Sequence, residues 1–123
     1  MASRPKASDA IRLRLALAPG VAFGPGKADL LDGISETGSI AAAGRRMRMS
    51  YKRAWQLVEE LNRSFREPLV EASKGGAGGG GAHLTRAGQD VLERYLRMHA
   101  AAAEAVAIDM VGMLRHVPPK PRA

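Results

Sequence analysis

Ser39-Ile40-Ala41-Ala42-Ala43-Gly44-Arg45-Arg46-Met47-Arg48-Met49-Ser50-Tyr51-Lys52-Arg53-Ala54-Trp55-Gln56-Leu57-Val58-Glu59-Glu60-Leu61-Asn62-Arg63 is the stretch that decides the fold. A serine at position 39 suits a helix N-cap, because its side-chain oxygen can accept from an otherwise orphaned amide of the first turn. The short helix it opens covers Ile40–Met47, and its small residues Ala41, Ala42, Ala43 and Gly44 let another helix approach closely. Arg46–Met49 supplies a turn of about four residues. Ser50 then caps a second helix, Tyr51–Phe65. In it Ala54, Val58, Leu61 and Phe65 recur at i, i+4, i+7 and i+11, which is one face. Pro68 forbids continuation. A short helix, a tight turn and an amphipathic helix have helix-turn-helix dimensions.

Downstream, Leu69–Ala72 reads as a short strand and Ala82–Thr85 as its return, joined by the glycine-rich tip Gly75–Gly81. That hairpin is a wing. Thr85 caps a last helix over about Arg86–His116, roughly 45 Å long at 1.5 Å per residue. Leu92, Tyr95, His99, Ala102, Val106, Met110 and Met113 recur along it at spacings of three and four, the stripe of a helix that packs on a partner. Upstream, Ile11–Leu17 alternates apolar and polar residues, as a half-buried strand does. Pro19-Gly20 turns the chain and Val21–Phe23 returns it. A helix over Lys27–Thr37 carries Leu30, Leu31 and Ile34, with Gly38 at its stop. The expected architecture is mainly α with small β: a winged helix-turn-helix with an N-terminal strand and a long C-terminal dimerisation helix. Its expected divisions are a disordered N-terminus over 1–10, the winged domain over 11–85, the long helix over 86–117 and a disordered tail over 118–123.

The chain has 123 residues, no cysteine and a formal net charge of +7. Without cysteine, disulfide frameworks, thiolate nucleophiles and thiolate zinc sites are all excluded. No stretch reads as a membrane span or a signal-peptide core, so a cytoplasmic location and no membrane partner are expected. The charge is not spread evenly. Arg45–Arg66 holds seven cations and two carboxylates, a net +5. Such a local excess points to double-stranded DNA as partner.

In this motif the N-terminal residues of the second helix lie nearest the base edges of the major groove. Those residues are Ser50, Tyr51, Lys52 and Arg53, with Gln56 one turn on. Arginine or lysine suits guanine and glutamine suits adenine. Ser39, Arg45, Arg46, Arg48 and Arg63 are expected on phosphates, where they fix register rather than sequence. Trp55 is expected to anchor the core beneath this helix. At the wing, Lys74, Gly75, Gly76, Gly78, Gly79, Gly80, Gly81 and His83 are placed to approach the DNA backbone. The glycine run is not a phosphate loop of nucleotide-binding type, since Ala82-His83-Leu84 follows it instead of Lys and Ser/Thr. His83, His99 and His116 have no ligand spacing, so no metal site is expected. No catalytic constellation is present in the pattern, and no enzyme is expected. The alternatives are a non-specific architectural nucleic-acid binder, or an interaction module docking through the last helix.

The runs Gly38-Ser39-Ile40-Ala41-Ala42-Ala43, Met49-Ser50-Tyr51-Lys52-Arg53-Ala54-Trp55 and Gly75–Gly81 followed by Ala82-His83-Leu84-Thr85-Arg86-Ala87-Gly88 carry a resemblance. Together they resemble the DNA-binding domain of the ModE family of molybdate-responsive transcriptional regulators, over about residues 11–113. The Gly-Ser-x-x-Ala-Ala run alone is shared with the wider LysR-type winged helices. The resemblance implies a homodimer joined through the first and last helices, with Leu30, Leu31, Ile34, Leu92, Tyr95, His99, Val106, Met110 and Met113 at the interface. It also implies palindromic operators near molybdate-transport or molybdoenzyme genes. Members of the family that sense molybdate carry a further C-terminal domain with a Ser-Ala-Arg-Asn type motif, and this sequence has none. No cofactor is therefore expected, a molybdate response by this chain is in doubt, and a separate effector or molybdenum-handling protein becomes a candidate partner.

Overall fold

The computed structural model describes residues 10–76 and 79–120. The expectations for the N-terminal residues 1–9, for Gly78 and for residues 121–123 lie outside them. Eight elements follow in order: β1 (Leu15–Ala18), β2 (Val21–Phe23), α1 (Pro25–Thr37), α2 (Ile40–Arg46), α3 (Tyr51–Ser64), β3 (Val70–Gly76), β4 (Gly79–Leu84) and α4 (Arg86–Leu114). The strands form two separate antiparallel hairpins, β1–β2 and β3–β4. No helix among the described residues is long and apolar enough to cross a membrane.

Local chemistry sets most boundaries. α1 begins two residues earlier than the sequence suggests, at Pro25, because proline at the first helical position gives up an amide that has no partner anyway. It ends at Gly38, whose φ of 72° lets its amide donate back to the Ile34 carbonyl at 2.8 Å. Ser39, Ser50 and Thr85 each cap the helix that follows, their side-chain oxygens accepting from the amides of Ala42, Arg53 and Gly88. The expected N-terminal strand is shorter than its alternation. β2 offers only three residues, so 11–14 has no strand to pair with. Its carbonyls turn instead to α4, where the Tyr95 hydroxyl donates to Leu13 at 2.7 Å and the His99 ring lies 3.2 Å from the Ile11 carbonyl. Leu17, expected on the buried side, is 51% exposed just where the β1–β2 register slips.

The core gathers one side of every element. Phe23, Leu30, Leu31, Ile34, Leu61 and Leu69 are its largest fully buried side chains. Phe23 stands edge-on to Tyr95 and to Phe65, at ring separations of 5.2 and 6.4 Å. Burial holds the Tyr95 phenol above its ordinary pKa; Asp29 adds to the rise and Arg12 opposes it. α1 and α2 touch so closely that a Cβ on Gly33 would stand 2.9 Å from the Ala43 Cβ.

This core corrects part of the expected interface between copies. Leu30, Leu31 and Ile34 are 0% exposed within the single chain, and Leu92 and Tyr95 are buried beside them. They have no surface left to give a partner, because α2, β4 and α4, with α3 and β2, already pack around α1. His99 is half-buried against the N-terminal segment. Val106 and Met110 keep part of their surface, and Met113 is 69% exposed. Ile108, Val111, Leu114 and Val117 are exposed as well, so the second half of α4 presents apolar side chains to solvent.

Candidate nucleic-acid interface

α3 is positioned by its contact with α2. A Cβ on Gly44 would stand 3.0 Å from the Ala54 Cβ, so glycine and alanine together allow the two helices to cross at near contact. α2 closes at Arg46, one residue before the sequence suggests, and the connection tightens to Met47–Met49. The Met49 amide donates to the Gly44 carbonyl at 3.0 Å. Arg48 takes a left-handed conformation, φ 59°, to make the turn. That backbone choice costs a non-glycine residue on the order of 1 kcal/mol, and the buried Ala43, Gly44 and Ala54 around the turn hold it in place.

The inward face of α3 is Ala54, Val58 and Leu61, all buried. Lys52, Arg53 and Gln56 lie away from that face and Ser50 and Tyr51 stand at the helix's N-terminal end; all five residues expected to read bases are exposed. Ser50 has a double duty, since its Oγ accepts from the Arg53 amide at 3.0 Å and leaves its O–H as a donor. At 3.6 residues per turn, Lys52, Gln56, Glu59 and Arg63 fall on one stripe. Glu59, exposed in the middle of that stripe, was not among the expected readers. Its spacing of three from Gln56 was the available signal, and a carboxylate there can accept from a cytosine amino group.

Arg45, Arg48 and Arg63 are exposed and point their charge to solvent. Arg46 instead pairs with Glu36 of α1 at 2.9 Å, both side chains about half exposed. A pair so placed is worth at most about 1 kcal/mol, so the Arg46 guanidinium exchanges Glu36 for a phosphate at little cost. Ser39 spends its oxygen on capping α2. Trp55 is half-buried against the core and meets the Tyr51 ring nearly at right angles, 77° at 6.1 Å. Both rings line a cleft of about 140 Å³ with Ser39, Ile40 and Ala41 of α2 and with Ala72, Ser73 and Gly81 of the wing.

The wing is joined to this surface at two points. Asn62 of α3 donates from Nδ2 to the Val70 carbonyl at 3.0 Å, and its Oδ1 accepts from the amides of Leu69 and Val70 at 2.8 and 3.1 Å. The Ala82 amide donates to the Gly38 carbonyl at 2.9 Å, which ties β4 to the loop before α2. The neighbouring Gly81 is tightly placed, since a Cβ would stand 3.2 Å from that same carbonyl and the backbone would have to give by a few tenths of an ångström. The strands also run further into the glycine segment than the sequence suggests: Gly75 and Gly76 belong to β3, Gly79 and Gly80 to β4, and Gly76 pairs with Gly79. Lys74 lies on β3. His83 does not stand free at the wing. Its Nε2 lies 3.2 Å from Glu71 Oε1 across the ladder, with both side chains exposed.

The family model described as "Bacterial regulatory helix-turn-helix protein, lysR family" matches residues 28–89, half of the chain. "Molybdenum-pterin-binding protein MopA" of Rhodobacter capsulatus is 40% identical over 99 residues, covering 80% of this chain and 37% of that protein. "Transcriptional regulator ModE" of Yersinia pestis is 44% identical over 71 residues, covering 58% of this chain and 27% of that protein. "DNA-binding transcriptional dual regulator ModE" of Escherichia coli (strain K12) is 42% identical over 71 residues, again 58% and 27%. The chain thus spans well under half the length of these relatives. Among solved structures, "Crystal structure of CbnR_DBD-DNA complex" superposes with a TM-score of 0.56 at 22% identity, covering 72% of this chain and 95% of that one. That last likeness is one of fold.

Proposed function

The chain belongs to the lysR family of bacterial regulatory helix-turn-helix proteins, and from that premise we propose that it is a sequence-specific DNA reader of the ModE type. The observation that carries the reading is the solvent-facing first turn of α3. There Tyr51, Lys52, Arg53 and Gln56 stand exposed behind a Ser50 cap, next to the exposed Arg45 and Arg48. Helix α3 enters the major groove, Arg53 and Lys52 meet guanine edges, and Gln56 meets adenine. Arg45, Arg46, Arg48 and Arg63 bind phosphates and set register. The protein acts by binding in the cytoplasm, without catalysing a reaction. The relatives' names carry molybdenum and transcription, which favours molybdate-transport or molybdoenzyme genes as targets.

Two copies join through the distal half of α4. Val106, Met110 and Met113 continue the stripe that Tyr95 and His99 begin, and past the core that stripe is partly exposed at Val106 and Met110 and largely exposed at Met113. A two-fold pair spaces its reading helices by one DNA turn, ~34 Å, or a multiple of it. Selection of DNA from a random pool, followed by competition against random duplex over a range of salt, tests the DNA reading. One enriched, two-fold symmetric sequence with a steep salt dependence supports it. Equal binding to every duplex refutes it in favour of an architectural binder. Sedimentation of a Met110→Glu, Met113→Glu double variant tests the pairing. Conversion to a monomer supports it, and a monomeric wild type at micromolar concentration refutes it.

A further inference from the structure

We propose that Tyr51 is a specificity-determining residue that reads the C5-methyl group of a thymine in the major groove. The inference rests on α3 being the DNA-reading helix, and deepens that reading by one base. Three observations lead to it. Tyr51 is the first residue of α3, the place nearest the base edges, and it is 59% exposed although its ring is apolar. The ring packs edge-on to one neighbouring ring. It stands at 77° to Trp55, 6.1 Å away, and Trp55 is itself half-buried against the core. Among the described residues the Tyr51 hydroxyl has no hydrogen-bond partner.

A solvent-facing aromatic ring at this place is costly to leave in water and is of no use to a core it does not enter. In the major groove, one base offers an apolar group, and that is thymine through its methyl. The neighbours divide the remaining work. Lys52, Arg53 and Gln56 supply donors for purine edges, and Glu59 supplies an acceptor. Tyr51 adds the apolar contact which that set lacks, and Trp55 positions it without touching DNA.

The test uses the sequence that the full chain itself enriches from random DNA. Each thymine in it is replaced singly by uracil, which removes only the methyl, and binding is measured for the wild type, Tyr51→Phe and Tyr51→Ala. At one thymine per half-site the wild type should lose about fourfold in affinity, the factor for returning one methyl-sized apolar group to water. Tyr51→Phe should lose as much, and Tyr51→Ala should be indifferent to the replacement. A merely structural role for Tyr51 would leave the methyl dependence the same in all three proteins, and that overturns the proposal. So does a wild type indifferent to uracil everywhere, or an enriched sequence without thymine under α3. If no sequence is enriched at all, the DNA reading falls first and this inference with it. Circular dichroism checks the fold of Tyr51→Ala, and Tyr51→Gln replaces it should alanine unfold the helix end.

Discussion

Replacing Asn62 by alanine is expected to unfold a large part of the domain's stability margin. The side chain makes three hydrogen bonds, two accepted from the amides of Leu69 and Val70 and one donated to the Val70 carbonyl. Leu69 and Val70 are buried, at 0% and 3% exposure, so their amides lie away from bulk water. An unsatisfied buried amide costs ~1–3 kcal/mol, and a retained hydrogen bond contributes on the order of 1 kcal/mol. Asn62 itself is only half-buried, and water entering the gap left by truncation recovers part of this. The net loss is therefore about 2–4 kcal/mol, a sizeable share of the ~5–15 kcal/mol that a domain possesses. At ~4 °C per kcal/mol for a chain of this size, the midpoint falls by roughly 8–16 °C. Urea and thermal denaturation followed by circular dichroism measure it, at one fixed protein concentration because self-association adds stability. Asn62→Asp keeps acceptors for both amides but sets a charged acceptor against the Val70 carbonyl, so it should recover less than half of the loss. A loss below ~1 kcal/mol with an unchanged urea slope would refute the reasoning. It would mean that water replaces all three bonds without cost and that Asn62 does not hold the wing to α3.

Other outcomes follow from single residues. Gly33→Ala should destabilise by about 1–2 kcal/mol, because its Cβ meets Ala43 at 2.9 Å, while Gly26→Ala in the same helix meets nothing and should stabilise by about 0.5–1 kcal/mol; denaturation midpoints of the two compare them directly. Tyr95 has a raised pKa through burial, so its neutral form is favoured in the folded chain. Its contribution is complete below the ordinary tyrosine value of 10.0 and is lost as pH climbs through the higher folded value. Tyr95→Phe should remove that alkaline loss in pH-dependent denaturation, and should cost about 1 kcal/mol at neutral pH by deleting the bond to Leu13. Arg45→Ala should weaken all duplexes alike and reduce the slope of log affinity against log salt by about one per copy, whereas Arg53→Ala should cost about 1–3 kcal/mol on the enriched sequence and relax its choice of base; binding isotherms at several salt concentrations distinguish the two.

Short-range chemistry is the part of this fold that could be read from residues alone. The three caps at Ser39, Ser50 and Thr85, and the stop at Gly38, each depend on atoms within a few residues. The buried face of α3 follows from its own period. Where the reading failed, the missing quantity was the partner. Leu30, Leu31 and Ile34 form an apolar stripe, and a stripe does not say whether its cover comes from the same chain or another; α2, β4 and α4, with α3 and β2, supply it here. The alternation of residues 11–17 called for a strand, but a strand needs a neighbour as long as itself, and β2 is too short. In the interface, exposure of Lys52, Arg53 and Gln56 follows from α3's period, whereas Tyr51 shares the period of the buried face and is exposed because it stands at the helix's first position. The Arg46–Glu36 and His83–Glu71 pairs join residues 10 and 12 apart, across separate elements. Asn62 left no mark at all, since one polar residue late in an amphipathic helix looks like any other.

The last helix has a mechanical consequence. Its packing on the core ends near Tyr95, the last of its residues to be buried, and its remaining turns to Leu114 project about 28 Å beyond that point. A rigid rod clamped at one end converts chain length into both distance and angle. Each residue inserted beyond Tyr95 carries whatever rides on the far end outward by ~1.5 Å and around by ~100°. Insertions of seven residues nearly restore the original heading and lengthen the arm by ~10 Å, while single insertions turn the tip to a different side. In the proposed pairing of two copies through this end, α4 would set the spacing between half-sites as a count of residues, adjustable in steps of about two turns without altering the reading surface.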